Sequence, residues 1–552
     1  MKKIFSIGCL LISLNLTSQN YQEHNFNGNT QLNYQTFQED LIIGAEERPS
    51  YTLGYTNLLY NYKMFTVGLR TELYNNTIPG FYNYEGYGIG NKFVQFQNNI
   101  VDITLGNFYE EFGSGLILRN YSDPNLGIDN SINGLRVKTT HPLGGLYFTA
   151  LIGRQKSYWE YSESLVRALN LDINLNYFVL KNWESNINLG ASFVTKKEND
   201  EDPLYILPEH VGAFNGRMNI TKGNTSINLD YAYKINDPSA DNNYIYKNGN
   251  GLILTANYSK KGIGIALGLK RIQNMSFRSE RNAILQDLNI NYINPFTKQQ
   301  SYSLASIYPY SSQPNGEMGS QIDIYYTIPK KSKLGGKYGT QINLNFSNVF
   351  NINKTIINNN LLIDESGTIG YNSNFFELGE DKLFQELNFE ISKKINRNVK
   401  IIGTYVNLIN NDKILKSQSI LENAQHEIIY ANIIILESII KLPSIKFISS
   451  KSMRTAMRTE IQHLNTQEHF GNWGMGLLEY KLSKWFFSLQ DLYNYGHPEK
   501  PHYYSSSIGY NKGANRIALT YGKQRAGLFC VGGVCREVPA SNGFTISLTS
   551  SF

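Results

Sequence analysis

The sequence predicts an all-β fold: a transmembrane antiparallel β-barrel of about 24 strands, with short periplasmic turns and long extracellular loops. Three observations predict it. Apolar and polar residues alternate along many short segments, the connections between these segments are alternately short and long, and the chain ends on an aromatic strand. Alternation with period two turns one set of side chains to lipid and the other to the lumen.

The first residues predict export. Lys2 and Lys3 precede an apolar stretch, residues 4–16, and small polar residues follow it. This is the pattern of a secretory signal peptide, and it is too short for a membrane helix. We therefore predict a signal peptide at residues 1–18 and an outer-membrane barrel at 19–552. Lipidation at Cys9 is the alternative, but the apolar core continues beyond that residue.

The central part of the chain carries the period-two pattern. The clearest alternating segments are residues 65–73, 135–140, 227–234, 263–270 and 341–347. The pattern is least clear between Phe384 and Leu464, and in residues 101–121 it is lost near Asn107, where we predict a bulge or a rise above the membrane. The longest apolar run, residues 428–442, is interrupted by polar residues and falls short of the ~18 that a spanning helix needs.

The connections indicate the number of strands. Short turns are predicted at sites such as residues 62–63, 222–224, 260–262, 396–398, 483–484 and 511–513, and long polar loops at 75–91, 123–131, 198–208, 235–250 and 279–318. Hairpins around the short turns, with one strand at each terminus, give about 24 strands, and we accept roughly 20 to 26.

The last strand predicts an assembly signal. Phe544, Ile546 and Leu548 alternate with Thr and Ser, and the chain ends at Phe552. We expect the barrel-assembly machinery to bind this strand during biogenesis and outer-membrane lipid to surround the finished barrel. Deleting Phe552 is expected to slow assembly.

Charged residues in the polar register are predicted to face the lumen. They are Arg70, Glu72, Arg136, Lys138, Arg217, Asp230, Asp323, Glu386, Glu390, Arg454, Arg458, Glu460 and Glu479. The simpler interpretation is that a water-filled lumen needs polar side chains and that these charges pair across strands. The functional alternative is a mixed-charge wall that tunes what passes or docks, without strong selectivity for one sign.

A barrel of this size needs something in its lumen, because barrels of about 22 strands are normally plugged. The first predicted strand begins near Phe26, which leaves no room for an N-terminal plug domain. We therefore predict that residues 279–318 fold inward. This is the longest predicted loop, and its aromatic residues can pack against a wall: Tyr292, Phe296, Tyr302, Tyr308 and Tyr310.

Motifs for catalysis are weak. The eight His residues show no paired metal-ligand spacing, and Gly113-Ser114-Gly115 lacks the nucleophile-elbow pattern and is interpreted as a bend. The acidic residues of 198–202 could attract a divalent cation, although a solvated loop explains them more simply. We predict no enzyme, no cofactor, no metal and, with a net charge of +6, no nucleic-acid partner.

Cys530 and Cys535 are predicted to form a disulfide. Gly532 and Gly533 would be the central residues of a tight hairpin turn, so that the two cysteines face each other across it. Export favours oxidation. A redox role is the alternative to this structural bond.

Three segments together resemble an uncharacterised family of Bacteroidota outer-membrane barrels: residues 106–119, the cysteine hairpin with residues 539–543 after it, and the terminal Ser551-Phe552. The resemblance runs over most of the chain, and the hairpin is its most specific part. It implies a Gram-negative envelope with large secretion and assembly machines, and it transfers no functional residues.

Two function classes follow from the sequence. The first is a pore or transport conduit narrowed by its own loops. The second is a structural or accessory barrel, bound to envelope protein partners in protein secretion or outer-membrane protein assembly. Aromatic-rich residues 79–88 suit a contact surface or an interfacial girdle equally well.

Overall fold

The computed structural model describes residues 24–78, 81–141, 144–283, 286–415, 428–446, 452–469 and 471–552. Within these ranges, 24 strands form one closed antiparallel sheet, which confirms the predicted fold class and strand number. The predicted signal peptide, with Cys9, lies outside the described residues, as do residues 79–80 of the aromatic loop.

The strands follow one another around the barrel in chain order. They are β1 (His24–Gln35), β2 (Tyr51–Tyr62), β3 (Phe65–Asn75), β4 (Gly86–Gln97), β5 (Val101–Phe108), β6 (Ser122–Asp123), β7 (Ile128–Asp129), β8 (Ile132–Thr140), β9 (Leu146–Ser157), β10 (Glu160–Asn174), β11 (Asn186–Lys197), β12 (His210–Lys222), β13 (Thr225–Lys234), β14 (Gly249–Lys260), β15 (Ile263–Gln273), β16 (Glu317–Ile328), β17 (Thr340–Ile352), β18 (Leu378–Lys394), β19 (Val399–Asn410), β20 (Ile429–Lys446), β21 (Ser452–Asn465), β22 (Trp473–Leu482), β23 (Trp485–Asn494), β24 (His502–Lys512), β25 (Asn515–Gln524), β26 (Gly527–Val531), β27 (Val534–Val538) and β28 (Ser541–Ser551). The pairs β6–β7 and β26–β27 are separate hairpins, and the other strands form the wall.

The first and last strands close the barrel. β1 pairs with β28 from Asn29↔Ser551 to Gln35↔Thr545. The Phe552 amide donates to the Gly28 carbonyl and the Gly28 amide donates back, both at 2.9 Å. Full closure satisfies the backbone of every wall strand, which a sheet inside a membrane requires. The predicted assembly residues therefore lie in the closing strand.

The outer face of the wall is apolar. Side chains that alternate outward leave much of their surface exposed: 61% of Ile434, 54% of Leu436 and 56% of Leu489. Large apolar residues exposed around a closed sheet indicate a lipid-facing band. The fold is therefore a membrane β-barrel, and it supports localisation in an outer membrane.

The two ends of the barrel differ. We call the end at which β1 begins and β28 ends the terminal end, and the opposite end the loop end. Most turns at the terminal end are short, as predicted, but residues 175–185 and 329–339 are longer connections there. At the loop end, Tyr158 and Trp159 alone join β9 to β10. The predicted strict alternation of loop lengths is therefore wrong at these places.

The predicted loop 75–91 is shorter than expected, because β4 begins at Gly86. The inward-facing positions at the start of β4 are glycines, which include Gly88 and Gly90. A Cβ at Gly88 would lie 3.3 Å from the Trp159 ring, and one at Gly90 would overlap the Glu72 carboxylate. Glycine is needed where other side chains approach the backbone this closely, and it hides the alternation from sequence analysis.

The predicted bulge or rise near Asn107 is also corrected. β5 ends at Phe108, and residues 109–131 leave the wall to enter the lumen. The predicted loop 123–131 is the last part of this segment, and the β6–β7 hairpin begins one residue before it, at Ser122.

Two single-turn helices, α1 (Leu175–Phe178) and α2 (Asp412–Leu415), lie between wall strands. Within the described ranges, no helix is long and apolar enough to cross a membrane.

Candidate functional site: the barrel lumen

Among the residues that the structure describes, two chain segments fill the lumen from the loop end. We call residues 109–131, between β5 and β8, lumen segment 1, and residues 274–316, between β15 and β16, lumen segment 2. Segment 2 contains most of the predicted inward loop 279–318, whose last two residues belong to β16. Segment 1 was not predicted to enter the lumen.

Lumen segment 1 reaches the wall at β12 and β13. The Ser114 amide and hydroxyl both donate to Asp230 Oδ2, at 2.9 and 2.7 Å. Gly113 has a φ of +59°, and a Cβ there would lie 2.2 Å from Arg217 Cδ. The Gly113-Ser114-Gly115 sequence is therefore a bend, as predicted, and it docks on two of the charged residues that were predicted to face the lumen.

An apolar core follows this contact. Leu116, Ile117 and Leu118 are fully buried. They belong to one cluster with the inward side chains of the wall, which include Val166, Val194, Val211, Ala232 and Ile272. Since burial of such side chains stabilises by about 1.5–3 kcal/mol each, this core holds segment 1 inside the barrel.

Ion pairs hold the two ends of segment 1. Asp129 Oδ2 lies 3.1 Å from Arg70 Nη1 and 2.9 Å from Lys156 Nζ, and Lys156 Nζ lies 3.3 Å from Glu72 Oε2. At the other end, the Glu110 carboxylate lies 2.7 Å from Lys138 Nζ and 3.5 Å from Arg136 Nη1. The wall charges thus bind the segment that occupies the lumen.

The anchor at Asp129 predicts a pH dependence. Burial alone would raise the pKa of Asp129, but Lys156 and Arg70 outweigh burial and hold its pKa below the ordinary 3.8. A lowered folded-state pKa means that this contribution is complete above about pH 4 and is lost as the pH falls through the folded-state value. We expect proteolysis within segment 1 to increase below about pH 4.

The variant Asp129→Asn is the control for this pH effect. It should show the increased proteolysis already at neutral pH and little further change on acidification. If the variant and the parent had identical pH profiles, Asp129 would not be the group responsible.

Lumen segment 2 crosses to the far side of the barrel. Phe296 packs against Gly268 of β15, where an added Cβ would lie 3.0 Å from the ring. Further along, Lys298 Nζ donates to Asn388 Oδ1 at 2.7 Å and Gln300 Nε2 to Glu386 Oε1 at 2.6 Å, both on β18.

The contacts continue onto later strands. Tyr302 Oη donates to Glu437 Oε2 on β20, and the Leu304 amide donates to Gln462 Oε1 on β21, both at 2.9 Å. A second apolar cluster joins Leu304, Ile307 and Tyr308 to buried side chains of the wall, which include Val406, Ile429, Ile433, Ile435, Leu464, Trp473 and Met475. Segment 2 therefore spans the lumen from β15 to β21.

The two segments also bind each other. The Arg119 amide donates to the Ile290 carbonyl at 2.8 Å, and the Tyr292 amide donates to the Gly115 carbonyl at 3.0 Å. The Arg119 guanidinium lies over the Tyr292 ring, 4.0 Å from its centroid. They form one plug.

The cysteine hairpin β26–β27 covers this plug. The structure joins Cys530 to Cys535, which face each other in register. Tyr292 Oη donates to the Gly532 carbonyl at 2.5 Å, and the Ser312 amide donates to the Gly533 carbonyl at 3.1 Å. Arg536 donates to the Asn125 carbonyl of segment 1. The hairpin thus contacts both segments.

We predict that the Cys530–Cys535 bond is formed in the mature protein and is dispensable for insertion, because the wall strands β25 and β28 pair without it. Thiol labelling without reductant should detect no free cysteine, and the variant C530S/C535S should reach the membrane at the parent's level. Full labelling of both cysteines would instead favour a redox role.

The remaining predicted lumen charges pair within the wall. Arg458 contacts Glu437, Glu460 and Glu479, and Asp323 and Glu390 accept from neighbouring asparagines. The Arg454 side chain shares their register but is exposed near the terminal end. Sequence reasoning missed Asp129, Lys156, Asn388, Glu437 and Gln462, because their role depends on which loop reaches them.

The acidic residues of 198–202 have partners within the protein, and Glu198 also accepts the Arg281 amide of segment 2 at 2.9 Å. Glu198 pairs with Lys196 at 3.0 Å, and Asp202 Oδ1 accepts the Leu204 amide at 2.8 Å. Across the part of the chain that the structure describes, no group of three or more His, Cys, Asp or Glu could hold a metal ion.

The comparisons with known proteins identify the family. All residues, 1–552, match DUF6029, a family of unknown function, and the chain belongs to it. A comparison with curated proteins gave no match.

Several solved membrane barrels are similar in part. The P pilus usher (PapC) translocation pore has 8% identity and a TM-score of 0.44, covering 95% of this chain and 99% of that one. The siderophore receptor PirA from Pseudomonas aeruginosa has 9% identity and a TM-score of 0.37, covering 96% and 80%. OccAB4 from Acinetobacter baumannii has 9% identity and a TM-score of 0.32, covering 85% and 98%.

Proposed function

We propose that this protein is an outer-membrane conduit, exported by its N-terminal signal peptide, whose lumen is closed by its own loops. One observation carries the proposal: lumen segment 2 crosses from β15 to β21 and binds the far wall through both polar and apolar contacts.

The plug is suited to movement. It enters from the loop end, and each of its two segments is continuous with the wall only at its own two ends. Segments that gate a pore are expected to be separable from the scaffold that carries them. The wall strands are complete without the plug, because each pairs with its two neighbours.

The test is excision of most of segment 2. The Met275 amide already donates to the Pro314 carbonyl at 2.8 Å, and Ile272 pairs with Glu317, so residues 276–313 can be removed and the ends joined as a short hairpin. In planar bilayers, we expect little conductance from the intact protein and a large, steady conductance after excision.

The matched control removes residues 356–370 from the loop between β17 and β18. That loop contacts other surface loops, through Tyr246 and Thr368 for example, and its loss should not open the pore. A second variant lacks residues 110–130 in addition to residues 276–313. Comparing it with the single excision tests whether segment 1 alone can seal the lumen. Large conductance in the intact protein, or none in the double excision, would contradict a self-plugged conduit.

The accessory function is the second candidate, and exposed aromatic residues favour it. In the loop after β3, Phe81 and Tyr84 are buried, whereas Tyr82 is 59% exposed; Tyr87, at the start of β4, is 85% exposed. Exposed Tyr is typical of protein interfaces. Purification in mild detergent, with identification of stoichiometric envelope partners, tests this candidate independently of conductance.

A further inference from the structure

A cavity of about 720 Å³ lies at the loop end, between the plug and the cysteine hairpin. Its lining includes Tyr292 and Gln313 of segment 2, Arg536 of the hairpin, and Asn353 at the loop end of the wall. This volume is in the range of small-molecule sites. A molecule bound here would touch the plug and its cover at the same time.

The charges of the lining largely neutralise one another. The lining contains three basic residues and four acidic ones: Arg278, Lys354 and Arg536, and Asp241, Glu380, Asp381 and Glu537. Arg278 lies 3.4 Å from Asp241. Since the two signs are present in nearly equal number, the cavity has no strong preference for an ionic ligand.

The uncharged lining is rich in groups that both donate and accept. Asn is the commonest residue of the lining, and Gln286 and Gln313 add further amides. Amides complement hydroxyl groups, which also donate and accept. The Tyr121 and Tyr292 rings, 6.2 Å apart and nearly perpendicular, supply apolar surface beside these amides.

We propose that this cavity binds neutral, hydroxyl-rich ligands of the oligosaccharide class. Only the role of this site in transport, as the entry site of the conduit, rests on the proposed function. Binding itself requires only the intact, closed protein.

The test is calorimetry on the intact purified protein with three neutral probes, maltotetraose, cellotetraose and N-acetylchitotetraose. Trigalacturonate tests for an acidic ligand and tetra-alanine amide for a peptide. At least one neutral saccharide should bind with a Kd of about 1 mM or tighter, and the other two probes should bind at least about tenfold more weakly.

Two variants locate the site. Gln313→Leu and Asn353→Leu should each weaken saccharide binding about tenfold or more, since each removes an amide from the cavity lining. The control is Asn359→Leu, at an exposed position outside the cavity lining. A folded-barrel gel shift shows that each variant is intact.

The proposal is overturned if no saccharide binds, if the peptide or the acidic probe binds better, or if both variants bind like the parent. These outcomes are separate from those of the conductance test. Failure to bind sugar, with a pore that opens on excision, would leave the conduit standing without this substrate class. Sugar binding with no conductance after double excision would support the site and contradict the conduit.

Discussion

Replacing Ile117 by Asp should open the lumen and leave the barrel folded. Ile117 is fully buried between segment 1 and the wall. An unpaired carboxylate at this position costs several kcal/mol of desolvation, and this cost opposes the docking of segment 1 against the wall. The wall strands keep all their backbone pairs, so the penalty falls on the plug alone.

The measurement for this variant combines planar-bilayer conductance with protease cleavage in segment 1, and both should rise well above the parent's level. The control is Ile206→Asp, at a position 87% exposed in the loop before β12, which should change neither. An Ile117→Asp protein that folds, stays closed and resists protease would show that segment 1 does not depend on this core.

The wall could be predicted because two environments act on it. In β12 to β15, lipid selects apolar residues on one face and the lumen selects polar residues such as Arg217 and Asp230 on the other. The alternation is then visible in the sequence, and its repeats give the strand number.

The unclear region 384–464 has the opposite cause. On β20, Ile434 and Leu436 face lipid, while Ile429, Ile433 and Ile435 pack against segment 2. Because both faces are apolar, the alternation disappears although the strand is regular. In its sequence pattern, a strand that binds a plug therefore resembles a strand that is buried on both faces.

The plug was only half predictable. The length of segment 2 and its tyrosines indicated inward packing, since a long aromatic loop can bury its rings against a wall. Segment 1 gave no comparable signal. Its apolar residues Leu116, Ile117 and Leu118 lie beyond Asn107, where the alternation is lost. Only tertiary contact with the wall shows that they belong to the lumen.

The largest effect on stability is expected from Glu317→Ala. Glu317 lies where segment 2 rejoins the wall, and its side chain and that of Lys270 are fully buried, with Nζ and Oε1 2.5 Å apart. Glu317 also accepts from Tyr310 Oη and from the Gln313 amide. Removing the carboxylate leaves a buried ammonium without its counter-charge, which typically costs about 3–5 kcal/mol.

The double variant Lys270→Met/Glu317→Gln separates charge from shape. It removes both charges, and the Gln oxygen can still accept from Tyr310 and Gln313, so most of the lost stability should return. The measure is the unfolding midpoint from the heat-modifiable gel shift, together with protease cleavage in segment 2.

Glu479→Ala provides the matched control. Glu479 pairs with Arg458 at 3.1 Å but is 44% exposed, so its loss should cost no more than about 1 kcal/mol. If Glu317→Ala were as mild as this control, the buried pair would not hold the base of the plug. If the single and double variants were equally unstable, the cause would be lost packing, because the double variant leaves no unpaired charge.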